Sequence, residues 1–423
     1  MSASQSGEER YIRKRLRRAA AVSLAFRLCR IFPVRKGKVV LWTLEGKGGF
    51  ACSPKYIALE LLRRNREEGS AWKLYWIAGG TAASAGRAEF PPEITLVRDT
   101  FWSRVWHLST AQFWVGNTRT PLGTKKRRGT CYLMAWHGSI ALKPIGLYRG
   151  EKFSRIARLV SEADSKLIDI ALSGSRWCTR MWRKGLLYDG RIEETGNPRC
   201  DVLLAGAAEK RRQLRDAYGI PQDAEICLYA PTFRGGSQST LRSVDAAPIS
   251  LDLAGLLDAL EKRFGGTWYL FLRLHPQLAA ALEHMPLPEK LGAAGGPLAG
   301  RIVDVTGRPD MAEIMAATDC LITDYSTVIF EGFMTGQPGF IYADDFDAYT
   351  ADRGTLMFAA DEIPFPVART NSELFRHIQT FDAGQYKTRC AQFKERMGMV
   401  DDGSASRRAA DIMEKIARGE SVG

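Results

Sequence analysis

No apolar run in the 423 residues reaches the roughly 18 positions that a membrane-crossing helix requires. The apolar run at 19–26 is short and bounded by Arg18 and Arg27. No small-residue cleavage pattern follows it, so neither a spanning helix nor a secretory signal is expected. Paired cysteines are missing as well. None of the eight cysteines forms a C-x-x-C pair, and Cys131, Cys227 and Cys320 lie inside apolar, strand-like runs. That excludes a disulfide framework and a zinc knuckle, and points to buried reduced thiols. There is no short repeat, no low-complexity tract and no Asp-rich motif of the kind that clamps a diphosphate through a metal. A divalent metal is therefore not expected to be essential.

Acid is scarce at the N-terminus. Residues 1–38 hold eleven Lys and Arg against Glu8 and Glu9, a local +9 out of a net +13. A basic end on a nearly balanced body implies an anionic surface partner. From 11 to 32 the apolar spacing is helical: Tyr11, Ile12, Leu16, Ala19, Ala20, Leu24, Leu28 and Ile31 can share a broad face, with Arg13, Arg17 and Arg27 on the polar side. Such a helix suits an anionic membrane surface, with arginines reaching for lipid phosphates. The alternatives are a solvated helix packed on the body and a nucleic-acid arm. No interleaved aromatic platform supports the latter, and no nucleic-acid partner is expected.

Beyond residue 38, short Val-, Ile-, Leu- and Tyr-rich runs alternate with helical stretches. Strands are predicted at 38–43, 73–78, 94–97, 112–115, 130–136, 170–173 and 191–195. A second series is predicted at 225–230, 268–274, 301–305, 319–323 and 339–342. Helices are predicted between them, at 54–68, 100–109, 154–165, 176–187, 201–218, 252–264, 310–317, 327–335 and 371–381, with long surface loops at 235–250 and 286–300. Continuous apolar strands alternating with helices imply parallel sheets covered on both faces. Two such series imply an α/β protein of two Rossmann-like doubly wound domains facing a central cleft. The expected divisions are 1–37 (basic amphipathic segment), 38–196 (acceptor domain), 197–385 (donor domain) and 386–423 (helices returning to the first domain).

Ligands of such sheets sit beyond the carboxyl ends of the strands. One predicted strand runs into Trp136-His137-Gly138-Ser139, with Lys143 soon after. Histidine as a residue type titrates near neutrality, so one at position 137 can take a proton from an attacking hydroxyl, and Gly138 admits close backbone approach. A second ends in Arg273-Leu274-His275-Pro276, where alternation puts Arg273 and His275 on one face, a pair of donors for phosphate. A third ends in Asp324-Tyr325-Ser326-Thr327 and passes into a helix that Ser326 or Thr327 could cap. Free N–H groups and hydroxyls there suit an anion, and Glu331 one turn deeper suits ribose hydroxyls. A fourth opens into Pro231-Thr232-Phe233-Arg234-Gly235-Gly236, where Arg234 can fork onto a diphosphate. Lys125, Lys126, Arg127 and Arg128 precede the His137 strand and could steer an anionic chain or form a solvated turn.

In register, these pieces resemble the CDP-glycerol glycerophosphotransferase family of teichoic acid and capsule enzymes. The other matching stretches are Glu194-Thr195-Gly196-Asn197-Pro198-Arg199-Cys200-Asp201, and Gly339-Phe340-Ile341-Tyr342 with Asp345 and Tyr349. The match covers about residues 130–355. Ser139 stands where the family usually has Thr, and Lys143 lies one position further from the His. The resemblance implies a GT-B fold with the nucleotide held mainly by the second domain. It implies a CDP-glycerol or CDP-ribitol donor, a lipid-linked or polyol-phosphate acceptor and CMP as product, with no further cofactor. It places the protein peripherally at the cytoplasmic face of a bacterial membrane. The expected catalytic residues are His137, His275 and Asp324. Donor-binding residues are Arg234, Arg273, Ser326, Thr327, Glu331, Gly138 and Thr232. Acceptor-binding residues are Lys143 and the Lys125 to Arg128 loop. The alternatives are a GT-B glycosyltransferase or nucleotide-sugar epimerase, and a non-enzymatic basic adaptor.

Overall fold

The computed structural model describes residues 3–44, 48–79, 87–232, 249–274, 298 and 300–420. His275, Arg234 and nearly all of the loops expected at 235–250 and 286–300 lie outside the described residues. The chain forms two compact units. The first comprises Met1–Ser139, Gly146–Asp201 and Met399–Gly423, and the second Ile140–Ile145 and Val202–Gly398.

The first unit begins with α1 (Ala3–Leu28) and continues through β1 (Arg35–Trp42), α2 (Cys52–Glu67), β2 (Lys73–Ala78), β3 (Thr95–Arg98), α3 (Phe101–Ser109), β4 (Ala111–Gly116) and β5 (Cys131–Met134). It ends with α4 (Arg155–Ser165), β6 (Ile170–Leu172), α5 (Arg176–Gly185) and β7 (Arg191–Glu193). All seven strands pair parallel in the order β3-β2-β1-β4-β5-β6-β7. The apolar runs behave as expected of strands covered on both faces: Val39, Val40, Leu41 and Trp42 are all 0% exposed. Ile57, Leu61, Trp76, Phe113, Val115 and Leu133 complete the core. Each such side chain contributes about 1.5–3 kcal/mol on burial.

The second unit repeats the pattern. Its strands are β8 (Glu225–Ala230), β9 (Trp268–Leu272), β10 (Ile302–Asp304), β11 (Cys320–Thr323), β12 (Gly339–Tyr342) and β13 (Val367–Ala368), parallel in the order β10-β9-β8-β11-β12-β13. The helices are α6 (Asp201–Ala205), α7 (Ala207–Tyr218), α8 (Leu253–Phe264), α9 (Met311–Ala316), α10 (Ile329–Gly332), α11 (Phe346–Arg353), α12 (Asn371–Gln379) and α13 (Ala383–Met397). The second sheet thus has the 3-2-1-4-5-6 order of a Rossmann-like domain and the first has that order with a seventh strand added, as befits the two doubly wound domains that the sequence predicts. β13 and α11 were not predicted. The helix expected at 327–335 is the four-residue α10 followed by a 3-10 turn, Phe333–Thr335, which Gly336 stops at φ 82°. Val328 occupies the cap position with no side-chain cap bond, so neither Ser326 nor Thr327 caps the helix.

The last helix, α14 (Ala405–Ala417), belongs to the first unit. Ala409, Ala410 and Met413 enter that unit's core. The Asp201 carboxylate accepts from Ala405 N at 2.9 Å and Ser406 N at 2.8 Å. Buried Arg64 pairs with Asp411 at 2.6 Å and Glu414 at 3.0 Å.

Helix α1 also packs on the first unit, and this divides the single apolar face expected of it. Ile12, Ala19, Ala25 and Phe26 are buried, whereas Tyr11, Leu16, Leu24, Leu28 and Ile31 are exposed. The cause is the connection from β4 to β5, residues 117–130, which carries no helix. α1 covers it instead. Ser23 Oγ donates to Gly123 O at 2.8 Å, and a Cβ on Gly123 (φ 95°) would collide with the Ala19 backbone. Arg30 donates to Lys126 O at 3.4 Å, Arg127 donates to Phe32 O, and Phe32 packs edge-on against Trp106 of α3 at 4.5 Å.

Candidate functional site

In the first unit, His137 stands three residues past the carboxyl end of β5, where a parallel sheet presents its ligands. It is half-buried, and its Nδ1 lies 3.0 Å from the carbonyl oxygen of Asn117. A carbonyl can only accept, so Nδ1 carries the proton and Nε2 carries the lone pair. The Asn117 carbonyl is itself held. Asn117 follows β4, and its side chain accepts from Leu44 N at 3.0 Å. The next carbonyl, Thr118 O, accepts from Trp42 Nε1 and Tyr132 Oη, each at 3.4 Å. Thr120 donates through N and Oγ1 to buried Asp164, at 2.8 and 2.6 Å. Burial raises the Asp164 carboxyl, and the Thr120 bonds and Arg119 oppose that shift.

The turn around His137 is braced from the other side by α5 and the C-terminal segment. Trp136 (φ 32°) lies against the imidazole at a tilt, with ring centroids 4.2 Å apart. Ser175 Oγ donates to Ser139 O at 3.1 Å, and Cys178 Sγ lies 3.8 Å from Gly138 O. Asp401 Oδ1 accepts from Asn197 N at 2.6 Å, and Ser139 Oγ lies 3.5 Å from Asp401 Oδ2. Asn197 Nδ2 also donates to Ser139 Oγ. The 194–201 motif therefore ties α14 and the His137 turn to one sheet.

In the second unit, the topological switch point lies between β8 and β11, the crevice where open α/β sheets take ligands. Asp324, expected as catalytic, and three expected donor-binding residues, Thr232, Ser326 and Thr327, lie there. Thr232 donates to the Asp324 carboxylate from N at 3.0 and 2.9 Å and from Oγ1 at 3.0 Å, and Tyr325 N donates to Asp324 Oδ1 at 2.6 Å. Asp324 is buried and laces the two strand ends together. Ser326 and Thr327 are half-buried, and Ser326 Oγ accepts from Val328 N at 3.5 Å. Tyr325, fully buried, stacks on Tyr349 at 3.6 Å and donates to Asp345 at 2.9 Å. Glu331 is 1% exposed.

Other expected residues lie apart from these groups. The Arg273 guanidinium donates to Val305 O at 3.3 Å, Pro309 O at 3.4 Å and Arg308 O, bracing the turn after β10. Lys143 sits in Ile140–Ile145, which packs with the second unit, where Leu142 O accepts from Met357 N at 2.8 Å. Lys125, Lys126, Arg127 and Arg128 precede β5, at the opposite strand ends from His137. Lys126 pairs with Asp169, and Lys125 and Arg128 are exposed. Asn117, Trp136 and Asp401 were not among the expected residues. Among the described residues, no group of three or more His, Cys, Asp or Glu is arranged to hold a metal ion.

A family model described as CDP-Glycerol:Poly(glycerophosphate) glycerophosphotransferase matches residues 24–415. A teichoic acid poly(glycerol phosphate) polymerase of Staphylococcus epidermidis is 30% identical over 322 residues, 73% of this chain and 42% of that protein. One of Bacillus subtilis is 26% identical over 403 residues, 92% of this chain and 50% of that protein. The chain thus spans about half the length of these curated relatives. The solved structure of the wall teichoic acid polymerase TagF superposes with a TM-score of 0.76 at 24% identity, covering 98% of each chain, which supports the GT-B class for the fold.

Proposed function

The chain belongs to the CDP-glycerol:poly(glycerophosphate) glycerophosphotransferase family, and from that premise we propose that it transfers a polyol phosphate from a CDP-polyol, CDP-glycerol first, to a hydroxyl of a lipid-linked or polyol-phosphate acceptor. The observation that carries this reading is the Asn117 carbonyl on His137 Nδ1, which fixes the proton on that nitrogen and makes Nε2 the basic one. The acceptor hydroxyl attacks the donor's β-phosphorus as His137 takes its proton. The new O–P bond forms, the bond from that phosphorus to the bridging oxygen breaks, and CMP leaves with the electron pair.

The donor is assigned to the strand ends of the second sheet, with Ser326 and Thr327 supplying N–H and hydroxyl donors to the diphosphate and Thr232 lining the same strand ends. Asp324 holds that constellation in shape through its bonds to Thr232 and Tyr325. Arg234 and His275 keep the donor-side roles that the family resemblance implies for them. The expected independence from added metal is checked by assaying CMP release in excess chelator.

The protein is placed at the cytoplasmic face of the membrane, held peripherally by α1. No described helix is long and apolar enough to cross a membrane. Leu16, Leu24, Leu28 and Ile31 are exposed beside Arg13, Arg17, Arg27 and Arg30. Each basic side chain near an anionic leaflet contributes about 1 kcal/mol. Lys126 and Arg127 meet Arg30 and Phe32, just past the end of α1.

The decisive experiment incubates the full chain with CDP-glycerol, CDP-ribitol and UDP-sugars, together with lipid-linked acceptors, and measures nucleotide release and product length. CMP release with chain extension is expected. His137→Ala is expected to lower the rate about 10²–10⁴-fold. Release of UDP in place of CMP would replace this reading with glycosyl transfer.

A further inference from the structure

Trp136 does more than precede the base. An L residue with φ 32° lies in the left-handed region and stays there only where its surroundings hold it. Here the holding is visible. The half-buried Trp136 ring meets Trp182 edge-on at 5.7 Å. Trp182 is 1% exposed, its Nε1 donates to Leu172 O at 3.3 Å, and it meets Tyr188 edge-on at 5.7 Å. Tyr188 Oη donates to Arg191 O at 2.9 Å, a carbonyl of β7. A chain of rings anchored on β6 and β7 thus ends on the imidazole of His137, which the indole meets at 4.2 Å and a tilt of 36°.

That geometry is the one in which a π face attracts a cation. The imidazole is neutral before proton transfer and cationic after it, so the attraction grows along the reaction. We propose that Trp136 is a positioning residue of the transfer reaction: its indole fixes the plane of the His137 ring against the Asn117 carbonyl and stabilises the imidazolium that forms when His137 accepts the proton. Charged and titratable groups also stand on the elements that pack around this turn. They are Arg119 and Asp164 beyond the 117–120 segment, Cys178 and Glu194 on the α5 side, and Asp401 on the C-terminal segment. All remain in every variant below, so they cancel in the comparison.

The inference rests on His137 being the base, and the test separates the two. CMP release from CDP-glycerol is followed against pH for the unaltered chain, His137→Ala, Trp136→Phe, Trp136→Leu, and the chain carrying 5-fluorotryptophan at 136. The fluorinated ring keeps the indole shape and weakens its π face, so it carries the test even if Trp136→Leu does not fold. Losing the π face destabilises the imidazolium and lowers the imidazole's proton affinity. The acid limb of kcat/KM should therefore move down by about half a pH unit in Trp136→Leu, and by less in the fluorinated protein. It should stay near its original place in Trp136→Phe. In Trp136→Leu, kcat should fall about tenfold while KM for the donor stays within about twofold. An acid limb unmoved in both the Leu and the fluorinated proteins, with His137→Ala inactive, overturns the role of Trp136 alone. A fully active His137→Ala overturns the base reading and this inference with it.

Discussion

The first unit holds two bases on either side of the Tyr75 ring, one buried and one half-buried. Lys38 is 1% exposed, donates to Thr110 Oγ1 at 2.7 Å and lies 4.8 Å over the Tyr75 ring. On the other side, the Tyr75 ring meets His107 of α3 at 5.1 Å. Burial, with repulsion from Lys38 and Arg35, lowers His107 from 6.5 to about 4, and burial lowers Lys38 from 10.5 to about 8. A base whose folded value lies below its unfolded one binds more protons when unfolded. Its contribution to stability is therefore present above the unfolded value and lost as pH falls to the folded one. For His107 that window runs from 6.5 down to about 4, and for Lys38 from 10.5 down to about 8, so the two do not overlap.

The full His107 shift corresponds to about 3 kcal/mol at about 1.36 kcal/mol per pH unit. The ring is half-buried, and water screening reduces this to about 1–2 kcal/mol. His107→Phe keeps a ring against Tyr75 and removes an Nδ1 that is buried with no hydrogen-bond partner among the described residues. Nine of the ten tryptophans lie in the first unit, so tryptophan emission reports that unit's unfolding in urea. Acidification from pH 7 to 4.5 should move the stability difference in favour of His107→Phe by about 1–2 kcal/mol. Titrating carboxylates are common to both proteins and drop out of the difference. Parallel pH profiles would refute the assignment of acid sensitivity to this imidazole.

Gly123→Ala forces a Cβ into the Ala19 backbone at φ 95°. It should cost about 2 kcal/mol and raise amide exchange along 12–26, and unchanged exchange would show that α1 is not docked there. Asp201→Ala removes the acceptor for Ala405 N and Ser406 N. It should cost about 1 kcal/mol and loosen the first turn of α14, read by amide exchange. Arg215, 0% exposed, holds Ala224 O, Ala317 O and Asp319 in the second unit. Arg215→Met should lower that unit's stability by about 3 kcal/mol, followed through Trp268, and a loss below 1 kcal/mol would show that the cluster relaxes around the smaller side chain.

Both sheets were legible because parallel strands covered on two faces print as unbroken apolar runs. 73–78, 225–230 and 339–342 were bounded at the residues where β2, β8 and β12 begin and end. β13 has only two residues and no such run. The predicted helix at 327–335 fails for a local reason. Its apolar residues fill the core beside β11 and β12, yet glycines at 332 and 336 let the chain tighten to a 3-10 turn and stop. The α1 face was misjudged because helical spacing records which residues are apolar, and not which of two apolar stripes meets a partner. Ile12, Ala19 and Phe26 are buried where α1 packs on the first unit, Ala19 against Gly123 of the 117–130 connection, while Leu16, Leu24 and Leu28 are exposed.

The site divides along a similar line. His137, Ser326 and Asp324 announce themselves as reactive or polar side chains at strand ends. The atom that sets the His137 tautomer does not, because it is a backbone carbonyl, identical at every position along the chain. Its placement depends on the register of β4 against β1 and β5, on the grip of Trp42 and Tyr132 on Thr118 O, and on the bond from Thr120 to Asp164. The same 117–130 connection receives α1 at Gly123 and ends in the basic residues beside Phe32. A single strand-to-strand crossing therefore carries the carbonyl bonded to His137 at one end and receives α1 in its middle. Substitutions along it should alter catalysis without touching any residue that a motif would mark.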